Sequence, residues 1–212
     1  MFKPYGLDME AVETKFSALK NEVKLIFFTR ESQCIHCKEA KRLYERLASV
    51  THKIKYEKYN FAINAEKDRE YNVFAVPALA IIGAKDYGIR YYGYPHGTEL
   101  NNFIDDLIYV SRAENKLAPK VMRKIQELQK ETQLKIFISP VCPYSLSVAK
   151  LGLKLAVASD QIRVDIIDAM EFLEIAEKYH VRGIPMTVVN EENSFYGALD
   201  DEEYVDALLK LA

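Results

Sequence analysis
An α/β protein made of two tandem copies of one unit is what this sequence predicts, and three observations carry the prediction. First, the chain repeats itself. "LIFFTRESQCIHCKEAKRL" in the first half resembles "KIFISPVCPYSLSVAKLGL" in the second, and "EYNVFAVPALAIIG" resembles "KYHVRGIPMTVVNE". Three landmarks keep one offset: Cys34 to Cys142, Tyr71 to Tyr179 and Pro77 to Pro185 are each 108 positions apart. Second, short β-prone runs alternate with stretches of helical apolar spacing and end in a late pair of strands, the pattern of a central mixed sheet flanked by helices. Third, 212 residues with 49% hydrophobic and 28% charged side chains give enough material for two small domains and exclude disordered and fibrous classes.

The elements follow in order. A helix is expected over about residues 8 to 21 from Val12, Phe16 and Leu19, and over 119 to 131 from Val121, Ile125 and Leu128. Strands follow at "KLIFFT" and "LKIFIS". Each leads into a cysteine-bearing loop that opens a helix, with Leu43, Leu47 and Val50 at helical spacing in the first copy. Second strands lie around "KIKYEKYN" and "IRVDIID", and third helices run through "NAEKDREYN" and "AMEFLEIAEKYH". These stop before an X-Pro strand, because the residue before proline is pushed to extended geometry. Strands at "PALAIIG" and "PMTVVN", then at "IRYYG" and "SFYG", precede closing helices at "ELNNFIDDLIYVSRA" and "DEEYVDALLKLA". The polar stretch "RAENKLAP", residues 112 to 119, is the expected boundary, which gives units of 1–115 and 116–212.

Composition narrows the function classes. A formal charge of −2 without a long basic or acidic run indicates neither a nucleic-acid nor an anionic-membrane partner. The first residues lack the apolar region of a secretory signal, and no apolar stretch approaches the roughly 20 residues of a membrane span, so a cytoplasmic location is expected. Three cysteines are too few to staple a secreted domain. In "YGIRYYGYPHG" only Arg90 and nearby Lys85 add charge, and the stretch reads as packed aromatic rings rather than a base-stacking platform.

The chemistry-bearing residues are Cys34 and Cys37, in "CIHC" at the head of a helix. A helix N-terminus favours a thiolate. Cys34 is expected where that effect is largest, with Cys37 one turn along and shielded. The first sulfur attacks a disulfide and the second resolves the mixed disulfide. A cationic His36 would stabilise the thiolate, or His36 is a solvated loop residue. Zinc is the rival, but a structural site wants four ligands, and His52, His96 and His180 form no ligand-spaced pair. Inert cysteines are a third reading. In the second copy "SPVCPYS" sets Cys142 in a polar loop with Pro143 at the first helical position. A small buried hydrophobe is the alternative there, and Tyr144 is expected to pack beside the sulfur. Val76–Pro77 and Ile184–Pro185 open strands where the X-Pro bond could be cis. Ordinary edge-strand prolines are the other reading. The loop before each proline would lie against its cysteine loop and pair with an extended substrate by β-type hydrogen bonds.

Cysteine motif, helix, and a strand-opening proline about forty residues on resemble the thioredoxin fold. Two such units, with "CIHC" and "CPYS", resemble the archaeal and bacterial protein disulfide oxidoreductases, glutaredoxin-like relatives of protein disulfide isomerase. The resemblance covers essentially the whole chain. It implies two thioredoxin-fold units and a protein thiol–disulfide oxidoreductase, with Cys34 as nucleophile, Cys37 as resolving thiol, His36 as tuning group, and Val76 and Pro77 facing substrate. Cys142, Ile184 and Pro185 form a matching but incomplete second site, with Tyr144 and Ser145 as its tuning groups. Protein disulfides are the implied substrates and a thioredoxin-reductase-type flavoprotein the implied electron donor. No bound cofactor or metal is needed, because the dithiol stores the two electrons. Two departures stand out. Relatives commonly carry "CPYC" in the second half, where Ser145 leaves Cys142 without a resolving partner, and Ile35 replaces the proline of the "CPHC" found in strongly oxidising enzymes. A metal or iron–sulfur carrier and a chaperone-like peptide-binding module with dispensable thiols are the alternatives.

Overall fold
The computed structural model describes residues 8–114 and 116–212; residues 1–7, and Asn115 in the expected boundary stretch, lie outside the described residues. The described residues pack as two compact units, one of residues 8–86 and 90–113, the other of 87–89, 114 and 116–212.

In the first half of the chain, α1 (Met9–Phe16) precedes β1 (Val23–Thr29), α2 (Cys37–Val50), β2 (Ile54–Asn60), α3 (Ala65–Glu70), β3 (Ala78–Ile82), β4 (Asp86–Tyr92) and α4 (Gly97–Arg112). The strand order is β2-β1-β3-β4. β1 runs parallel to β2, with Leu25 opposite Tyr56, and antiparallel to β3, with Ile26 opposite Ala80. A central strand is covered on both faces, which is why "LIFF" reads as an unbroken apolar run; Leu25, Ile26, Phe27 and Phe28 are at most 1% exposed. α2 lays Ala40, Leu43, Tyr44 and Leu47 on the core, at the i, i+3, i+4, i+7 spacing of one helix face. Each buried leucine there contributes roughly 1.5–3 kcal/mol.

The second unit repeats the order with α5 (Pro119–Ile125), β5 (Thr132–Ile138), α6 (Pro143–Ala158), β6 (Ile162–Asp168), α7 (Leu173–Lys178), β7 (Met186–Val189), β8 (Asn193–Tyr196) and α8 (Asp201–Leu211). Its strand order is β6-β5-β7-β8. β5 is parallel to β6 and antiparallel to β7. α6 packs close on the sheet at Gly152, where a Cβ would run into the side chains of Ile136 and Val164; this explains a glycine inside a helix. α8 starts at Asp200, whose carboxylate accepts the Glu203 N–H at 2.9 Å, an N-cap worth about 1 kcal/mol.

Three helix ends differ from expectation. α1 stops at Phe16 instead of running to residue 21, because Ala18 and Leu19 close three-residue turns onto Lys15 and Phe16. The backbone N–H groups of Lys20 and Asn21 then bond to Ser111 of α4. α5 ends at Ile125 in the same kind of tightened turns through Glu127 and Leu128. α7 begins only at Leu173, since the Asp168 carboxylate accepts the Met170 N–H at 2.9 Å and its carbonyl that of Phe172. Among the described residues no helix is long and apolar enough to cross a membrane.

Candidate active site
β1 delivers the chain into a loop of extended and turned residues before α2 begins. Gln33 adopts a positive φ of 56°, and His36 is the N-cap, with φ −107° and ψ 8°. These conformations hold residues 33–36 off the helix. The first helical residue is therefore Cys37, not Cys34, which corrects the expected placement: the unpaired N–H groups of the first turn lie around Cys37, and Cys34 stands three residues before it. The His36 carbonyl starts the helix by accepting the Ala40 N–H at 2.9 Å.

Cys34 and Cys37 are joined in a disulfide with their Cα atoms 5.5 Å apart, inside the usual span for such a bond. Cys34 is half-buried and flanked by Ile35, which is 81% exposed, whereas Cys37 is only 4% exposed. The outer sulfur is within reach of another molecule; the inner one is shielded, as its position on the core side of α2 requires.

In the second unit a turn from the Ser139 carbonyl to the Cys142 N–H, 3.0 Å, sets Cys142 as the N-cap of α6, with Pro143 at the first helical position. Cys142 is a free, half-buried thiol. Its pKa is lowered, first by a hydrogen bond from the Ser145 hydroxyl and further by the backbone N–H groups of Ser145 and Tyr144, against the opposing effect of burial. Ser145 is fully buried, and its Oγ also accepts the Ser139 backbone N–H at 3.4 Å. Tyr144 is 68% exposed, and its backbone N–H hydrogen-bonds the thiol.

Both Val76–Pro77 and Ile184–Pro185 are cis. In each pair the proline is buried and the preceding residue half-buried. Each proline carbonyl accepts a glycine N–H at 3.0 Å, from Gly93 in the first unit and Gly197 in the second. Both glycines have positive φ, 127° and 100°, a region where other residues are disfavoured. Tyr94, which follows Gly93, is 9% exposed and lies with its ring centroid 5.9 Å from that of His36. The segment Gly93–Tyr94 thus touches both the proline strand and the cysteine loop. Sequence reasoning assigned Tyr87, Tyr91, Tyr92 and Tyr94 to packing, and all four are buried. It missed Gly93, Gly197 and the particular partner of Tyr94; the signal was the shared "YG" after the last strand, 104 positions apart. Among the described residues no group of three or more His, Cys, Asp or Glu side chains is placed to hold a metal ion.

The arrangement is similar to known proteins. The family model of the thioredoxin domain matches residues 132–210, a span that contains Cys142. A probable thioredoxin of Archaeoglobus fulgidus is 30% identical over 79 residues, 37% of this chain and 87% of the relative. Two solved structures follow nearly the whole chain. The alkylhydroperoxide reductase protein AhpF of Enterococcus faecalis superimposes with a TM-score of 0.84 at 21% identity, covering 94% of this chain and 96% of the other. A protein disulfide oxidoreductase of Aeropyrum pernix superimposes with a TM-score of 0.82 at 22% identity, covering 97% and 94%.

Proposed function
The chain belongs to the thioredoxin family, and from that premise we propose that its thiol–disulfide oxidoreductase activity runs through Cys34 and Cys37. The observation that carries the assignment is the unequal exposure of two sulfurs already within bonding reach: Cys34 half-buried, Cys37 nearly inaccessible. In the reductive direction the Cys34 thiolate attacks a substrate disulfide, forms a mixed disulfide and releases one substrate thiolate. Cys37 then attacks the Cys34 sulfur, closes the internal disulfide and releases the second. Two electrons pass from the dithiol to the substrate, and the reverse sequence oxidises a dithiol substrate. His36 tunes the pair from the loop between the cysteines. Val76 with Pro77, and Ile184 with Pro185, present backbone to an extended polypeptide.

Cys142 serves as a monothiol in this scheme. Ser145 cannot resolve a mixed disulfide, so an external thiol releases whatever Cys142 captures, and Tyr144 contributes through its backbone N–H. The two sites divide between domains taken as 1–115 and 116–212. Proteins carrying disulfides are the proposed substrates. A flavoprotein of the thioredoxin-reductase type is the proposed donor, with the cytoplasm, where such thiols are kept reduced, as the proposed setting. The test is dithiothreitol-driven reduction of insulin by the parent, Cys34→Ser and Cys142→Ser proteins. Loss with Cys34→Ser and retention with Cys142→Ser is expected; an unchanged rate in Cys34→Ser would overturn the assignment.

A further inference from the structure
The two units differ at a pair of positions that the repeat aligns. Cysteine and proline landmarks match His36 with Tyr144 at the common offset. The glycine-to-proline hydrogen bonds match Gly93 with Gly197, and therefore Tyr94 with Ala198. In the first unit His36 and Tyr94 face each other, 5.9 Å between ring centroids. In the second, the residue after the glycine is an alanine, and the side chain matching His36, Tyr144, stands 68% exposed. Tyr94 also faces His96, 5.8 Å between centroids. His36 and His96 are the N-cap residues of α2 and α4, and neither makes a side-chain capping hydrogen bond. The Tyr94 ring is thus set between the starts of two helices, one of which carries the buried cysteine at its first position.

We propose that Tyr94 is a positioning residue for the dithiol: its ring holds the His36 imidazole beside the Cys34–Cys37 pair, and so sets how strongly that imidazole favours the thiolate over the disulfide. The assignment rests on the reading of Cys34 and Cys37 as the working pair. The physical basis is short. Tyr94 is buried and anchored one residue from a backbone hydrogen bond to the Pro77 strand, so its ring has little freedom. His36 sits on a loop whose backbone is neither helix nor strand, and the Tyr94 ring is one of the contacts of its imidazole. Without Tyr94 the imidazole loses that contact, and with it part of what fixes its placement relative to the dithiol.

The test is a double-mutant cycle on the redox equilibrium with glutathione. Cys142 is first alkylated while the Cys34–Cys37 disulfide is intact, so that one couple is read by thiol labelling. Tyr94→Ala is expected to move the equilibrium toward the disulfide by roughly two- to tenfold, the size a ring–ring contact of this kind supports. The same change in a His36→Ala background is expected to add nothing, and Tyr94→Phe, which keeps the ring face, to hold the parent value. No shift in Tyr94→Ala, an equal added shift in the His36→Ala background, or a shift in Tyr94→Phe overturns the proposal. If Tyr94→Ala does not fold, Tyr94→Leu, which keeps apolar volume without an aromatic face, takes its place with the same expectations. The equilibrium is read without a protein substrate. A catalytically idle dithiol therefore shows itself in the insulin assay, and a failed coupling between Tyr94 and His36 shows itself only here.

Discussion

Replacing Ser145 by alanine removes one hydroxyl from the second site and should change the reactivity of Cys142 in a pH-dependent way. That hydroxyl is the first cause of the lowered Cys142 pKa, ahead of the neighbouring backbone N–H groups. A hydrogen bond to a charged acceptor contributes about 1.5 kcal/mol at the low end of its range, and the low end applies because Cys142 is only half-buried and water competes for the sulfur. Losing that bond lowers the thiolate population wherever the thiol is still partly protonated, and makes the remaining thiolate more nucleophilic. With a Brønsted coefficient of about 0.4–0.5, Ser145→Ala should react about threefold faster in alkali, where both thiols are ionised, and more slowly at lower pH, where the smaller thiolate population outweighs that gain. The assay is stopped-flow reaction of the oxidised protein with an aromatic disulfide reagent, since the Cys34–Cys37 disulfide leaves Cys142 as its free thiol. Rate profiles that superimpose across the range in a variant that melts cooperatively would refute the reasoning. Uniform slowing without a crossing would do the same, by showing altered access instead of altered charge stability.

Three other expectations follow from the packing. Cys37→Ser should accumulate a mixed disulfide with a protein substrate on non-reducing gels, because the half-buried Cys34 still attacks while nothing resolves; an absence of adduct would remove Cys34 from the attacking role. Arg90→Ala should cost about 2 kcal/mol in urea unfolding: the guanidinium is 4% exposed and makes a two-pronged contact with Asp86, 2.9 and 2.7 Å, and a 2.6 Å bond from Nε to the Tyr71 carbonyl. Arg90→Lys should recover less than half of that loss, since an ammonium cannot fork, and full recovery would contradict the geometry. Glu191 gives an acid-limb prediction. Burial pulls its carboxyl up, but the Lys135 ammonium at 2.7 Å and the Tyr179 hydroxyl outweigh it and hold the pKa below the ordinary range. A depressed carboxyl contributes stability above the ordinary carboxylate pKa and loses it as pH falls through the lowered value. The stability gap between parent and Glu191→Gln should thus shrink on acidification, whereas a pH-independent gap would show that the ion pair is not its source.

Much of this architecture could be read in the sequence because it depends on local pattern. "KLIFFT" announces a strand covered on both faces, and β1 is one; the common offset of cysteine, tyrosine and proline announces the repeat. What escaped depends on partners far along the chain. The spacing of Val12, Phe16 and Leu19 fits a helix through residue 21, yet Leu19 reaches the core from a tightened turn, because the Arg112 guanidinium claims the Ala18 carbonyl and Ser111 claims Lys20 and Asn21. Those partners lie 90 or more positions away. The start of α2 was misplaced for a local reason: the αL conformation of Gln33 is uncommon for a residue other than glycine and carries no mark in the sequence. The His36–Tyr94 contact spans 58 positions and two loops, so no periodicity could announce it.

The exchange of cysteine for serine between the units has a physical consequence beyond a missing thiol. The inner position is buried in both: Cys37 is 4% exposed and Ser145 fully buried. A buried hydroxyl must find hydrogen-bond partners, and at this position the available ones are the preceding cysteine sulfur and the Ser139 backbone. The burial that shields a resolving thiol in the first unit thus turns the serine of the second into a donor aimed at Cys142. Such a site favours the thiolate of its cysteine and has no second thiol to open a mixed disulfide. If Cys142 exchanges disulfides as proposed, capture is favoured and release is left to a second molecule. The two units would then differ in how long a bound partner is held, and the cysteine-to-serine exchange at the buried inner position would be one source of that difference.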